Sequence, residues 1–222
     1  MRSHQFTLVR HGESVGNANN FSQGQKDFPL SELGKKQANA LGSYWKNTKM
    51  VFDQIVSSPL SRARETAEII SGWLGSCRVS YDPIWMERDS GKRAGLKEEE
   101  AECLYPRPAF LNPFQPIGET GESRWELFLR AGNAVQKMVR LPAGNYLIVS
   151  HGAMLNMVMY AILGIVPQAN STGVRFRFDN TAFVSVIYDP DEHHWIVTGF
   201  NKSPHLELIQ SETAIGRRDF QL

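Results

Sequence analysis

The sequence predicts an α/β layered fold whose central sheet is mostly parallel. Three observations carry that expectation: short apolar runs of strand character recur along the chain, helical patterns separate the early ones, and two of the runs end in a histidine backed by glycine. A chain of 222 residues, 41% of them hydrophobic, is long enough to bury one large core, so residues 1–222 read as a single domain.

The strand-like runs are QFTLV (5–9), FDQIVSS (52–58), NYLIVS (145–150), VRFRF (174–178), AFVSVIY (182–188) and HWIVTGF (194–200). The first helical pattern, SELGKKQANALGSYWKN, opens on Ser31 as N-cap and places Leu33, Ala40, Leu41, Tyr44 and Trp45 on one stripe. The second, PLSRARETAEIISGWLG, puts Pro59 in its first turn, spaces Ala63, Ala67 and Ile70 along one face and ends at glycine. A third follows Gly121 and stops before Pro142; a fourth follows His151. The late strands have short connections, which suits antiparallel pairs. Between Glu87 and Gly121 the rhythm breaks, and four prolines fall between Pro106 and Pro116. That composition reads as a loop-rich flap over the sheet edge, about 88–121.

Composition narrows the function classes. The net charge is +1, so no nucleic-acid or membrane partner is indicated. Cys77 and Cys103 are the only cysteines, too few for a disulfide framework. No run approaches the ~20 apolar residues of a membrane span. AMLNMVMYAILGIV is interrupted by Asn156 and reads as a buried helix. With no apolar leader ahead of Arg10, the expectation is a cytoplasmic protein, for which a homodimer is open.

The chemistry sits at the strand ends. QFTLV runs into Arg10-His11-Gly12, and NYLIVS runs into His151-Gly152. Ligands of open α/β sheets bind outside the carboxyl ends of the strands, so both histidines should point into one crevice. Either could be an ordinary turn residue; two such endings in one chain weigh against that. SSPLSRARETA (57–67) is a third strand end, and Arg62 in the following helix would stand over the same edge. Alone, Arg62 fits a solvated helix face better, with Arg62 or Arg64 pairing with Glu65 and Glu68 at helical spacing. Together, Arg10, His11, Arg62 and His151 make a ring of strong donors suited to a phosphoryl group. Without nearby cysteines or carboxylates, the guanidinium-flanked imidazoles argue against a metal site.

Arg10-His11-Gly12-Glu13, the SxLxRAxxT pattern from Ser58 to Thr66, and Ser150-His151-Gly152 resemble the histidine phosphatase superfamily, the fold of the cofactor-dependent phosphoglycerate mutases. The resemblance implies a three-layer α/β/α architecture and a phosphoryl-transfer enzyme that needs no metal or organic cofactor. It implies that His11 is the nucleophile, phosphorylated at its tele nitrogen, with a backbone carbonyl holding the other N–H. Arg10, Arg62 and a protonated His151 would bind the phosphoryl oxygens, together with Asn17 and Gly152 of the substrate-binding set. Glu87, in WMERDSG, falls at the family's proton donor and would need burial under the flap to act as an acid. Glu13, Glu98, Glu99 and Glu100 are rival carboxylates, and Glu87 could instead pair with Arg88 or Lys92.

Within that family, hydrolysis of a small phosphorylated metabolite fits better than mutase action. Where mutases resemble ERHYG, this chain has Glu87-Arg88-Asp89-Ser90-Gly91. Adjacent flap arginines are missing, with only Arg107 in YPRPAF, and Ala153 replaces the usual asparagine. Ser150 also resembles the phosphatase branch. A phosphoglycerate mutase is the alternative, and a non-catalytic phosphate-binding module the third. Tyr105, Phe110 and Phe114 could line a pocket or form the flap's own core. Met154, Met157, Val158 and Ala161 fit a buried helix face, and His193-His194 a solvated hairpin turn.

Overall fold

The computed structural model describes residues 3–75 and 78–207. Cys77 lies outside the described residues, and Cys103 is an exposed free thiol.

Six strands form one mixed sheet: β1 (His4–Arg10), β2 (Gln54–Ser57), β3 (Val79–Tyr81), β4 (Asn145–Ser150), β5 (Phe183–Asp189) and β6 (His194–Lys202). Their order is β3-β2-β4-β1-β5-β6. The β2–β3, β2–β4 and β1–β4 pairs are parallel, while β1–β5 and β5–β6 are antiparallel. Central strands are buried on both faces, which is why Leu8-Val9 and Leu147-Ile148-Val149 occur as apolar runs rather than alternations.

The helices are α1 (Val15–Ala18), α2 (Glu32–Asn47), α3 (Ser61–Leu74), α4 (Glu98–Leu104), α5 (Arg124–Val139) and α6 (Gly152–Leu163). Alternate strand residues select the two faces. Phe6, Leu8, Tyr146 and Ile148 pack with Leu127, Ala131 and Ala134 of α5 and with the apolar residues of α6. Val9, Leu147 and Val149 face the other way, onto Leu41 and Trp45 of α2 and Ala63, Ala67 and Ile70 of α3. The result is three layers, with the sheet between two helix pairs.

α2 begins as the sequence predicts, with Ser31 Oγ accepting from the Gly34 amide. Its buried face, however, runs through Gly34, Ala38, Leu41, Gly42 and Trp45. Two glycines belong to it because the neighbours come too close for side chains: a Cβ on Gly34 would overlap the Glu13 carbonyl, and one on Gly42 would lie 2.6 Å from the Trp73 ring. α3 starts later than expected, at Ser61, and Pro59 precedes it. Asp27 Oδ1 accepts from the Ser61 amide at 2.7 Å, so a distant loop supplies the cap. The helix stops at Gly75, whose φ of 71° places it in the left-handed region.

One strand expectation fails, and two short elements add to what the sequence predicts. VRFRF (174–178) is not a strand: Phe176 exchanges both backbone hydrogen bonds with the side-chain amide of Asn156, at 2.6 and 2.9 Å, instead of with a neighbouring strand. β3 is only three residues long and partly polar, so it gives no apolar run. The flap carries a helix, α4, whose only fully buried residue is Ala101. Arg93 organises it from beneath, donating to the Ala101 and Tyr105 carbonyls and to Glu98 and Glu102. Phe110 and Phe114 stay 60% exposed, so they are not a flap core. His193 and His194 lie exposed at the β5–β6 turn, as expected.

Candidate active site

Strand register decides where the predicted residues meet. β1 and β4 are neighbours with Arg10 opposite Ser150, and the His11 amide donates to the Ser150 carbonyl at 3.0 Å. The next residue on each strand is a histidine at the same level, and the two rings lie 5.0 Å apart between centroids. Beyond β4, Ser57 of β2 stands opposite Val149, so Ser58 reaches the same edge. Ser58 Oγ lies 2.8 Å from His151 Nε2. Parallel pairing thus delivers three strand ends to one place.

His11 is buried, and its Nδ1 lies 2.6 Å from the Gly12 carbonyl oxygen. A carbonyl only accepts, so Nδ1 carries the proton and Nε2 presents a lone pair. Burial first, then Arg62 and Arg10, holds the imidazole well below its ordinary 6.5, against the opposing Gly12 bond. The ring is therefore neutral. Gly12 is needed for its size: a Cβ there would meet the Gly34 carbonyl oxygen at 2.6 Å. Its amide donates to Thr66 Oγ1 at 3.0 Å, tying the loop to α3.

Arg62 is buried in the first turn of α3 and is not a solvated face. Its Nη1 and Nη2 donate to the carbonyls of Lys26 and Gly24, at 3.0 and 2.8 Å. Arg10 donates from Nη1 to the Phe178 carbonyl at 2.7 Å. These bonds fix each guanidinium by its tip and leave the Nε of both enclosed without a partner, as is His151 Nδ1. Neither arginine has an ion pair among the described residues. Burial lowers Arg62 to about 10, still charged at neutral pH. His151 departs from expectation: burial, then Arg62, His11, Arg10 and Arg130, holds it well below 6.5, so it is neutral rather than protonated.

Glu87 follows a 3-10 turn (Pro83–Trp85), and its carboxylate meets the first turn of α6. Oε2 accepts from the Ala153 amide at 3.3 Å, and Oε1 from Met154 at 3.2 Å and Arg88 at 2.9 Å. It pairs with neither Arg88 nor Lys92; Lys92 binds Glu119 instead. Glu87 acts electrostatically on both Arg10 and Arg62 and so lies within reach of the cluster. The rival carboxylates are committed or remote. Glu13 accepts from Ser31 Oγ, Glu98 binds Arg93 and Arg107, and Glu99 and Glu100 are exposed.

Asn17 closes a capping box with Ser14 in α1, and none of its hydrogen bonds reaches the four central residues. Its Oδ1 is taken by Ser14, which leaves Nδ2 to donate outward. Gly152 opens α6 beside Arg10, yet a Cβ would lie 3.7 Å from Arg10 Nε, an ordinary contact. Space alone does not demand glycine there.

A model of the histidine phosphatase superfamily (branch 1) matches residues 6–202. The chain belongs to that superfamily. It is 34% identical over 199 residues to the "Uncharacterized phosphatase PhoE" of Bacillus subtilis, covering 90% of this chain and 95% of that one. It is equally identical over 215 residues to the "Probable phosphoglycerate mutase GpmB" of Yersinia enterocolitica, covering 92% and 95%. Bacillus stearothermophilus YhfR has a similar structure, with a TM-score of 0.79, 25% identity and coverage of 91% and 99%. No helix among the described residues is long and apolar enough to cross a membrane.

For a histidine phosphatase, the supporting residues are the ones the sequence did not disclose. Arg130 donates to the carbonyls of Ile84, Met86 and Glu87 at 2.9, 2.7 and 3.1 Å, and grips both oxygens of Glu122 at 2.8 and 2.6 Å. It therefore fixes the backbone that carries Glu87. Arg130, Glu122 and Glu87 share no short motif, so only folding associates them. Ser58, by contrast, stands in the quoted SxLxRAxxT pattern, and its hydroxyl was the available signal.

Proposed function

We propose that this protein is a metal-independent phosphomonoesterase working through phospho-His11. One observation carries the reading: His11 Nε2 presents a free lone pair beside three enclosed and unsatisfied ring or guanidinium nitrogens, Arg10 Nε, Arg62 Nε and His151 Nδ1. Buried groups of this kind cost free energy unless a ligand completes them, and a tetrahedral dianion suits both arginines.

In this reading, Nε2 attacks phosphorus as the bond to the ester oxygen breaks, and protonated Glu87 delivers its proton to the leaving alkoxide. Arg10 and Arg62 meet the charge on the phosphoryl oxygens. His151 joins them as a donor, because a bound dianion offsets the burial and the positive field that together keep its ring neutral. Asn17 adds its Nδ2 amide. Water then attacks the phosphohistidine, the Glu87 carboxylate takes its proton, the N–P bond breaks and inorganic phosphate leaves.

Purified protein should release phosphate from p-nitrophenyl phosphate at an unchanged rate in excess chelator. His11→Ala should lose at least about a thousandfold in kcat, and wild type denatured in alkaline detergent during turnover should carry a phosphoryl group on His11 that survives base and is lost in acid. A folded wild type without turnover across pH 5–8, or an active His11→Ala, overturns the reading. Resemblance to GpmB supports mutase action as the second reading; isomerisation faster than phosphate release would establish it. Arg88-Asp89-Ser90-Gly91 and Ala153 support hydrolysis.

A further inference from the structure

His151 uses only one of its two ring nitrogens inside the protein. Its Nε2 lies 2.8 Å from Ser58 Oγ, and its Nδ1 is enclosed without a partner. An anion in the cluster can therefore be met only through Nδ1, and only if Nδ1 carries a proton. The ring is held neutral, first by burial and then by Arg62, the His11 ring, Arg10 and Arg130, so it has a single proton to place. The same cations favour the wrong placement. A guanidinium prefers a lone pair turned towards it, which would put the proton on Nε2 and leave Nδ1 unable to donate.

The Ser58 hydroxyl opposes that placement. Ser58 is buried just beyond the end of β2, and its amide donates to the Val149 carbonyl at 3.0 Å, two residues before His151. Ser57 Oγ donates to the Ser58 carbonyl at 2.9 Å, so both sides of the backbone are fixed. Ser58 Oγ already accepts from the Leu60 amide at 3.3 Å. An amide only donates, so the hydroxyl still has its own hydrogen to place, and among the described residues its one acceptor is Nε2. With the proton on Nε2 instead, Oγ would accept twice and bury a hydroxyl hydrogen without a partner. Nδ1 lacks a partner in either tautomer, so the hydroxyl decides between them. An unpaired buried donor costs more than a neutral hydrogen bond contributes.

We infer that Ser58 is a positioning residue that fixes the neutral tautomer of His151 with its proton on Nδ1, so that the ring donates to a phosphoryl oxygen before it gains any charge. The inference deepens the phosphatase reading and rests on it for turnover. The two neighbouring rings then hold the same tautomer and present opposite ends of it. The Gly12 carbonyl occupies the N–H of His11 and leaves a lone pair for attack; Ser58 occupies the lone pair of His151 and leaves an N–H for the phosphoryl oxygens. When a bound dianion draws a second proton onto His151, Nδ1 still donates. The donor is present in both charge states.

Ring-labelled histidine NMR of wild type at pH 7.5, assigned with His151→Gln, should show His151 with a protonated Nδ1 and a bare Nε2. The opposite pattern overturns the inference without any Ser58 variant. Kinetics with p-nitrophenyl phosphate separate control of the tautomer from packing. In Ser58→Ala the neutral ring is free to turn its lone pair to the cluster, so only the charged ring donates. Its kcat/KM should fall by about tenfold or more at pH 8, the scale of one charge-assisted hydrogen bond, and by a smaller factor at pH 5.5. Glu87 and the ester titrate alike in both proteins, so the ratio of wild type to variant isolates the ring. Ser58→Thr keeps the hydroxyl and should recover most of the loss at pH 8. A ratio equal at the two pH values reduces Ser58 to packing and overturns the inference. Titration with inorganic phosphate reads the same donor without turnover: binding should move the His151 Nδ1 resonance in wild type and be weaker in Ser58→Ala, most of all at pH 8. That result in a protein that turns nothing over leaves the tautomer standing and removes only the phosphatase reading. Phosphate binding that leaves the resonance unmoved overturns the inference.

Discussion

At the scale of a single residue, the chemistry turns on which nitrogen of His11 holds the proton. The 2.6 Å bond to the Gly12 carbonyl assigns it to Nδ1, and burial beside two arginines keeps a second proton away. The sequence exposed half of this. Arg10-His11-Gly12 announced a strand ending in a cation and an imidazole, and the expectation of a carbonyl holding the ring was met. The protonation of His151 was not legible, because it depends first on how deeply the ring is buried and then on how many cations surround it once the chain is folded. Both rings should be neutral at pH 6.5 in the free protein. Ring-labelled histidine NMR on wild type, with His11→Gln and His151→Gln for assignment, should show both titrating well below 6.5. A midpoint at or above that value for His11 would mean that burial and the two guanidiniums do not act on the ring as placed.

At the scale of elements, three parallel strand ends, β1, β4 and β2, supply His11, His151 and Ser58, so the sheet itself sets the spacing of the cluster. This was legible because runs such as NYLIVS state their own boundaries: β4 is Asn145–Ser150, as read. The loop before Glu87 follows another logic. It lacks apolar periodicity and is held by Arg130, whose guanidinium binds three carbonyls of that loop and the Glu122 carboxylate. The Arg130 and Glu122 side chains are only 20% and 14% exposed, so the pair is shielded from solvent. Breaking such a pair strands the remaining charge and typically costs about 3–5 kcal/mol. Arg130→Ala should lower unfolding stability by roughly that amount. It should also reduce kcat more than it raises KM, since the proton donor loses its support while the phosphoryl cluster remains. Urea unfolding and steady-state kinetics on the same preparation would check both. A variant of wild-type stability and kcat would deny the clamp.

At the scale of the molecule, the same burial that readies the histidines for chemistry links the fold to pH. A third enclosed imidazole, His205, lies in a 3-10 turn (Pro204–Leu206) that follows β6. Its Nε2 lies 2.8 Å from Thr181 Oγ1, and its Nδ1 has no partner. Thr181 in turn donates its amide to the Arg10 carbonyl, so this turn supports the floor of the site. No sequence pattern marked His205, because nothing local distinguishes a buried histidine after a strand from a solvated one. Burial lowers it from 6.5 to about 4. The folded state therefore resists a proton that the unfolded chain accepts. Its contribution to stability is complete above pH 6.5, and it falls as pH drops from 6.5 towards 4. Between pH 7 and pH 5 that is about 1.5 units, or roughly 2 kcal/mol. His11 and His151 shift in the same direction, so the whole protein should be acid-sensitive, and the share of His205 must be taken by difference. His205→Gln removes the titrating group. Urea unfolding at pH 7 and pH 5 should show a loss about 2 kcal/mol smaller in the variant than in wild type, whatever its stability at pH 7. Equal losses in the two proteins would show that His205 takes up its proton as readily folded as unfolded, and the link from β6 through Thr181 to the site would then be mis-drawn.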